Sequence, residues 1–219
     1  MFSEFEIIFV NDGSLDNTLE MAEKATESIP TLTVIDCPIN EGKGNALRIG
    51  TLQASGKYIV FMDADLELPP TQLPTFFDLL KNKKADVVIG SKMHPKSVIN
   101  YPSGRKFVSF GYFIFIAFLF NQKFHDTQTG LKLFKVEVIK PVMQKILIKR
   151  FAFDVEMMVM IAKQKWNIVE SPVIMEYKRE QNWGRIRFKD ILMVLKDTLT
   201  IFFRLHFSKK YNRIDSPAQ

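Results

Sequence analysis

The chain holds a single cysteine, Cys37, in 219 residues. It can form no internal disulfide, and such usage fits a reducing compartment. Its three histidines, His94, His125 and His206, show no metal-ligand spacing and read as surface or packing residues. No apolar run reaches the ~18–20 residues of a membrane-spanning helix. The longest is Phe107–Phe120, between Arg105-Lys106 and Asn121-Gln122-Lys123. Met1 to Glu6 show neither a basic nor a long apolar region, so no signal peptide is expected. There is no internal repeat, low-complexity tract or dividing linker. With 47% hydrophobic residues, disorder, a collagen-like chain and a disulfide scaffold are excluded.

What is present is aromatic and unevenly charged. There are 20 Phe, and the length suits one domain with an ample core. The formal charge is +6. Residues 178–213 alone carry +7, leaving the rest at −1. Such a tail is either a solvated helix face or the partner of an anionic surface.

The first part of the chain alternates strand-like and helix-like runs. Strands are expected at Phe5–Val10, Leu32–Ile35, Tyr58–Met62 and Asp86–Gly90. Helices are expected at Leu15–Ser28, with Ser14 as N-cap, at Gly44–Ala54 and at Pro70–Lys81. This alternation implies a mainly parallel sheet covered by helices, with ligands at the carboxyl ends of its strands. Later segments read as a helix at Phe153–Lys163 and a strand at Ile168–Tyr177. Phe107–Phe120 reads as a buried helix or one lying in a membrane interface. Phe188–Phe207 has an apolar stripe through Phe188, Ile191, Leu192, Leu195, Leu199, Phe202 and Phe203.

Three clusters carry chemistry. The run from Phe61 to Pro70 drives a hydrophobic strand into Asp63, Asp65 and Glu67. Three close carboxylates repel unless a cation or hydrogen bonds compensate. An oxygen-only set selects a hard ion, Mg²⁺ or Mn²⁺, with positions left for diphosphate oxygens. The Val10–Thr18 run ends a strand in a turn, where Asp12 could accept hydrogen bonds from a ribose or base, while Asp16 and Asn17 cap the following helix. Asn40–Ala46, with two glycines and Lys43 ahead of a helix, suits a phosphate held by backbone donors and the lysine charge. It is not a Walker A loop.

Taken in order, these residues resemble family 2 glycosyltransferases of GT-A fold, and more narrowly the dolichyl-phosphate mannose and glucose synthases and their bacterial relatives. The matching pieces are Val10-Asn11-Asp12-Gly13-Ser14, Asn40-x-Gly42-Lys43-Gly44-x-Ala46 and Met62-Asp63-Ala64-Asp65-Leu66-x-x-Pro69-Pro70. They continue with Asp126-x-x-x-Gly130-Leu-Lys132, Phe153-Asp154-x-Glu156 and Glu170-x-Pro172-Val173. The resemblance spans about residues 5–205.

It implies a Rossmann-like, mostly parallel α/β sheet flanked by helices, with a C-terminal amphipathic interface helix. Residues 1–177 would form the GT-A body. Residues 178–219 would form a basic acceptor loop and membrane-interface helix of the same domain. Asp63, Asp65 and Glu67 would hold Mg²⁺ or Mn²⁺, with Asp65 catalytic. Asp12 would meet the nucleoside, and Lys43 would sit near the donor. Asp126 and Gln128 would line the acceptor side. Arg179 and Arg185 would serve the acceptor phosphate and catalysis, although Gly184 stands where the family has Ser.

The implied reaction is metal-dependent, inverting transfer from a nucleotide-diphosphate sugar to a polyprenyl phosphate. It would take place peripherally, on the cytoplasmic face of a membrane, with no nucleic-acid partner. The family's first strand–helix unit has no counterpart before Phe5. The resemblance therefore also leaves room for an impaired membrane- or nucleotide-binding domain, and an unpaired sheet edge invites a homo-oligomer. A sugar nucleotidyltransferase is the remaining alternative.

Overall fold

The computed structural model describes residues 4–99, 103–122, 124–150, 152–175 and 188–207. In the two long helices that open at 103 and 188, side chains are described from 111 and 192 onward. The first unit is β1 (Ile7–Asp12), α1 (Thr18–Thr26), β2 (Leu32–Cys37) and α2 (Lys43–Gln53). β1 and β2 pair in parallel, from Ile7 opposite Leu32 to Asp12 opposite Cys37. Ser14 is not the cap of α1. The helix starts later, at Thr18, and its N-cap Asn17 makes no side-chain cap bond. Asp16 Oδ1 instead accepts the Thr18 N–H at 3.1 Å.

The larger sheet uses β3 (Tyr58–Phe61), β4 (Val87–Ser91), β6 (Lys132–Lys135) and β7 (Ile168–Pro172), in the order β3-β6-β4-β7. β4 and β7 are parallel, whereas β6 runs antiparallel to both neighbours. β5 (Val98–Ile99) and β8 (Ile174–Met175) form a short parallel pair. The described sheet is thus mostly parallel with one reversed strand. Strand alternation sorts its residues between two layers. Ile59, Phe61, Val87, Ile89 and Phe134 face one apolar cluster, shared with α5 (Val136–Lys145) and α6 (Phe153–Lys163). Val88, Leu133 and Val173 face another, closed by Phe76 and Leu80 of α3 (Leu73–Asn82). A 3₁₀ turn at Pro70–Gln72 leads into α3. α6 is apolar almost all round, and every residue from Phe153 to Ile161 is buried, as such a helix must be.

α4 (Ser103–Phe120) and α7 (Phe188–Phe207) pack on this body and on each other. Tyr112 Oη lies 2.9 Å from Thr198 Oγ1, and burial pushes the Tyr112 phenol up to about 12. Phe120 and Phe202 rings meet edge-on at 6.1 Å. α4 has two apolar faces: Ile116 and Phe120 point in, while Ile114 and Phe118 are exposed. α7 buries Thr198 and Ile201 but exposes Leu192, Leu199, Phe203 and Phe207. Much of its apolar stripe therefore faces outward. Among the described residues, no helix is long and apolar enough to cross a membrane.

Candidate active site

β1 ends at Asp12, β3 runs out just before Asp63, and α2 starts at Lys43. Asp63 is held from two sides. Its Oδ1 lies 2.5 Å from Lys43 Nζ. Its other face abuts Gly130, where a Cβ would overlap the carboxyl group. The Asp63 and Lys43 side chains are both about half exposed, at 43% and 47%.

The next turn presents Asp65 and Glu67. The Leu66 N–H donates to the Asp63 carbonyl at 3.2 Å, and the Glu67 N–H donates to Asp65 Oδ1 at 3.1 Å. Leu66 sits at φ +54°, a left-handed conformation that costs a side-chain-bearing residue roughly 1–2 kcal/mol. Asp63, Asp65 and Glu67 line one depression with Lys92, Gln128 and Gly130. Among the described residues, no three Asp, Glu, His or Cys side chains converge as a metal cluster. The three carboxylates expected to share an ion thus share a depression but not a point.

A line of alternating charge lies behind Asp63. Lys132, in the register between Phe61 and Ile89, is buried. Its Nζ lies 2.7 Å from Asp154 Oδ1 and 2.5 Å from the Thr129 carbonyl. Burial works against the charge on Lys43. The fields of Asp154, Asp63 and Asp65 outweigh it and raise the Lys43 pKa above the ordinary lysine value.

The Asn40–Ala46 loop corrects one expectation. The Glu41 and Gly42 N–H groups donate to the two Asp12 carboxylate oxygens, each at 2.9 Å. The Gly44 and Asn45 N–H groups donate to the Lys149 carbonyl, at 2.9 and 3.3 Å. Gly42 has φ +106°, and a Cβ there would lie 2.7 Å from that same carbonyl. These four backbone donors are taken, so they do not form a phosphate seat. What the loop offers an anion is the Lys43 ammonium. Asp12 shapes the loop that carries it.

Asp126 plays a similar supporting part. Its two oxygens accept the Lys92 and Gln128 N–H groups, each at 3.0 Å. Gln128 reaches the depression, and Asp126 stands behind it. His125 pairs through Nδ1 with Glu170 at 2.8 Å. Arg179 and Arg185 lie outside the described residues.

Four residues in or around this site had no role assigned from sequence: Lys92, Lys132, Asp154 and Glu156. Glu156 is buried and accepts the Leu147 and Ile148 N–H groups, at 3.1 and 2.7 Å. The signal lay in the pattern itself. A lysine opening a strand, and acids inside an apolar helix, become buried charges that require partners.

A parallel-rich α/β sheet with acidic residues just beyond a strand end, facing a lysine, is the architecture of a GT-A glycosyltransferase domain. Residues 1–143 match glycosyl transferase family 2, and the chain belongs to that family. It resembles a dolichyl-phosphate beta-glucosyltransferase of Trichomonas vaginalis, with 33% identity over 97% of this chain and 65% of that relative. The human dolichyl-phosphate beta-glucosyltransferase is 29% identical over 95% of this chain and 68% of its own length. The chain thus spans about two thirds of the length of these relatives. Among solved structures, the fold resembles glucosyl-3-phosphoglycerate synthase from Mycobacterium tuberculosis in complex with Mn²⁺, uridine diphosphate and glucosyl-3-phosphoglycerate. The TM-score is 0.63 and the identity 16%, covering 96% of this chain and 70% of that one.

Proposed function

We propose that this chain transfers glucose from uridine-diphosphate glucose to a polyprenyl phosphate, with inversion at the anomeric carbon. One observation carries the reading: Asp63 and Asp65 line a single depression with Lys92 and Gln128, and Lys43 pairs with Asp63 at its edge. The named substrates follow the dolichyl-phosphate beta-glucosyltransferase relatives and the uridine-diphosphate complexes of the fold neighbour.

The attacking phosphate oxygen is already ionised near neutral pH, so it needs no strong general base. The oxygen–anomeric-carbon bond forms as the bond to the departing diphosphate breaks. The work left to the protein is positioning and charge neutralisation. Lys43 neutralises the donor diphosphate. The loop that Asp12 braces borders the nucleoside. Gln128, with Asp126 behind it, and Lys92 lie on the acceptor side; Arg179 and Arg185, by the family resemblance, would add positive charge for the acceptor phosphate.

The exposed, oxygen-only carboxylates suit a hard divalent ion that completes its shell with substrate oxygens. Asp63 and Asp65 would hold Mg²⁺ or Mn²⁺, with Glu67 at the rim, and the ion would supply charge stabilisation to the leaving diphosphate.

The outward apolar residues of α4 and α7, among them Phe118, Phe203 and Phe207, and the basic 178–213 segment suit an anionic bilayer surface. Phe202 is packed against the core cluster, so the informative variant is Phe203→Ser with Phe207→Ser. It should leave vesicles containing anionic lipid in a sedimentation assay. Retained binding would remove the membrane reading.

The reaction itself is tested with labelled uridine-diphosphate glucose, Mn²⁺ and a short-chain polyprenyl phosphate. Lipid-linked glucose is expected, and its absence from folded protein would contradict the proposal.

A further inference from the structure

We infer that Lys43 is a built-in counter-cation for Asp63, one that holds the carboxylate in the absence of donor and yields it when the nucleoside diphosphate arrives. This inference rests on the donor-site reading above. It adds an order to binding: a divalent ion competes with Lys43 when alone and is admitted together with the diphosphate.

The geometry makes the competition unavoidable. The other Asp63 oxygen, Oδ2, packs against Gly130, where even a Cβ would overlap it. Lys43 Nζ lies 2.5 Å from Asp63 Oδ1, where a bound cation would find its oxygen. Lys43 is the mobile member of the pair. Its backbone is anchored at the start of α2, next to Gly44, whose N–H is fixed by the Lys149 carbonyl. Its ammonium is carried on a flexible four-carbon stem, half exposed.

Asp63 is not the only carboxylate that favours the Lys43 charge. Asp154, held by Lys132 at 2.7 Å, and Asp65 also favour the ammonium form. When a diphosphate brings its negative charge to the depression, Lys43 has a stronger acceptor to turn to. Asp63 is then left for the incoming ion. Lys43 would thus pass from carboxylate partner to phosphate partner without changing its protonation.

The magnitude is bounded. An ion pair this exposed contributes at most ~1 kcal/mol. A site whose competent form is only partly populated loses apparent affinity in proportion. Removing Lys43 should therefore tighten binding of Mn²⁺ alone by about fivefold at most.

The test measures Mn²⁺ binding to the full chain by electron paramagnetic resonance, with and without uridine diphosphate. Lys43→Gln should bind Mn²⁺ alone several-fold more tightly than the parent chain. It should also lose most of the enhancement that uridine diphosphate gives the parent. Lys92→Gln removes a charge from the same depression and should change Mn²⁺ binding less. Equal gains in the two variants would mean a general field effect and overturn the inference. So would unchanged or weaker Mn²⁺ binding in folded Lys43→Gln. Either result leaves the transferase reading standing if the parent chain still makes lipid-linked glucose. Absence of that product would instead count against the reading itself.

Discussion

The β1–α1–β2 unit and the four-stranded sheet are built in different ways. Among the described residues, no apolar side chain before Ala54 is buried, and α1 buries nothing. In the larger sheet, all of β4 and nine consecutive residues of α6 are buried. The first unit packs only partly buried apolar side chains such as Ile8 against the core, and polar contacts brace it within and to its neighbours. Glu6 Oε1 accepts the Ser55 and Gly56 N–H groups, Asn11 donates to Asp36, and Asp12 grips the Glu41–Gly42 backbone. Apolar burial contributes roughly 25 cal/mol per Å², whereas each exposed polar tie contributes little net stability. On the proposed function, the well-buried half would lie under the acceptor side and the less buried half under the donor side, with the Asp63–Lys43 pair between them. Segments with few buried apolar contacts open locally more easily, which suits a face that must admit a nucleotide.

The comparison can be broken most sharply in the larger sheet. Lys132→Met should leave Asp154 buried without its cation and lower stability by about 3–5 kcal/mol, read by urea denaturation. A loss below about 1 kcal/mol would erase the distinction between the two regions. A smaller effect is expected from Asp12→Ala. It removes the acceptor of two backbone N–H groups and should lower stability by roughly 1–3 kcal/mol. Hydrogen exchange at Glu41 and Gly42 should quicken while the β4 amides keep their protection.

The smallest effect is a pH dependence at Glu6. The Ser55 N–H and hydroxyl hold its carboxyl below the ordinary glutamate value. A carboxyl depressed on folding contributes stability that is present above its unfolded pKa. That contribution is lost as pH falls through the lower, folded value. Glu6→Gln should therefore lower stability slightly at neutral pH and leave the acid end nearly unchanged, which flattens the acid limb of the profile. An acid limb that is instead unaltered would show that this tie carries no weight.

Much of this was readable in the residues. The strand-end placement of Asp63 and Asp65, and the extents of α6 and α7, follow from hydrophobic periodicity. β6 was not legible. Its four residues begin and end with lysine, and only the partnership with Asp154 lets Lys132 enter a buried strand. The loop at Asn40–Ala46 looked like a phosphate cradle because its glycines and its place before a helix fit one. Its donors are spent on Asp12 and on Lys149, and Lys149 is 105 residues beyond Gly44; no local pattern announces such a pairing. The outward turn of the α7 stripe was expected from the family resemblance and not from periodicity alone. Periodicity shows that a helix has an apolar face, and only its neighbours decide which way that face points.

The central claim is that the depression beyond β3 carries out sugar transfer. The direct measurement is lipid-linked glucose formed from labelled uridine-diphosphate glucose and polyprenyl phosphate, by the parent chain and by Asp65→Ala matched for unfolding midpoint. Product from the parent and loss of at least about a hundredfold (about 2.7 kcal/mol of transition-state stabilisation) in the variant is the predicted result. Equal product from both, or none from a folded parent, would contradict it.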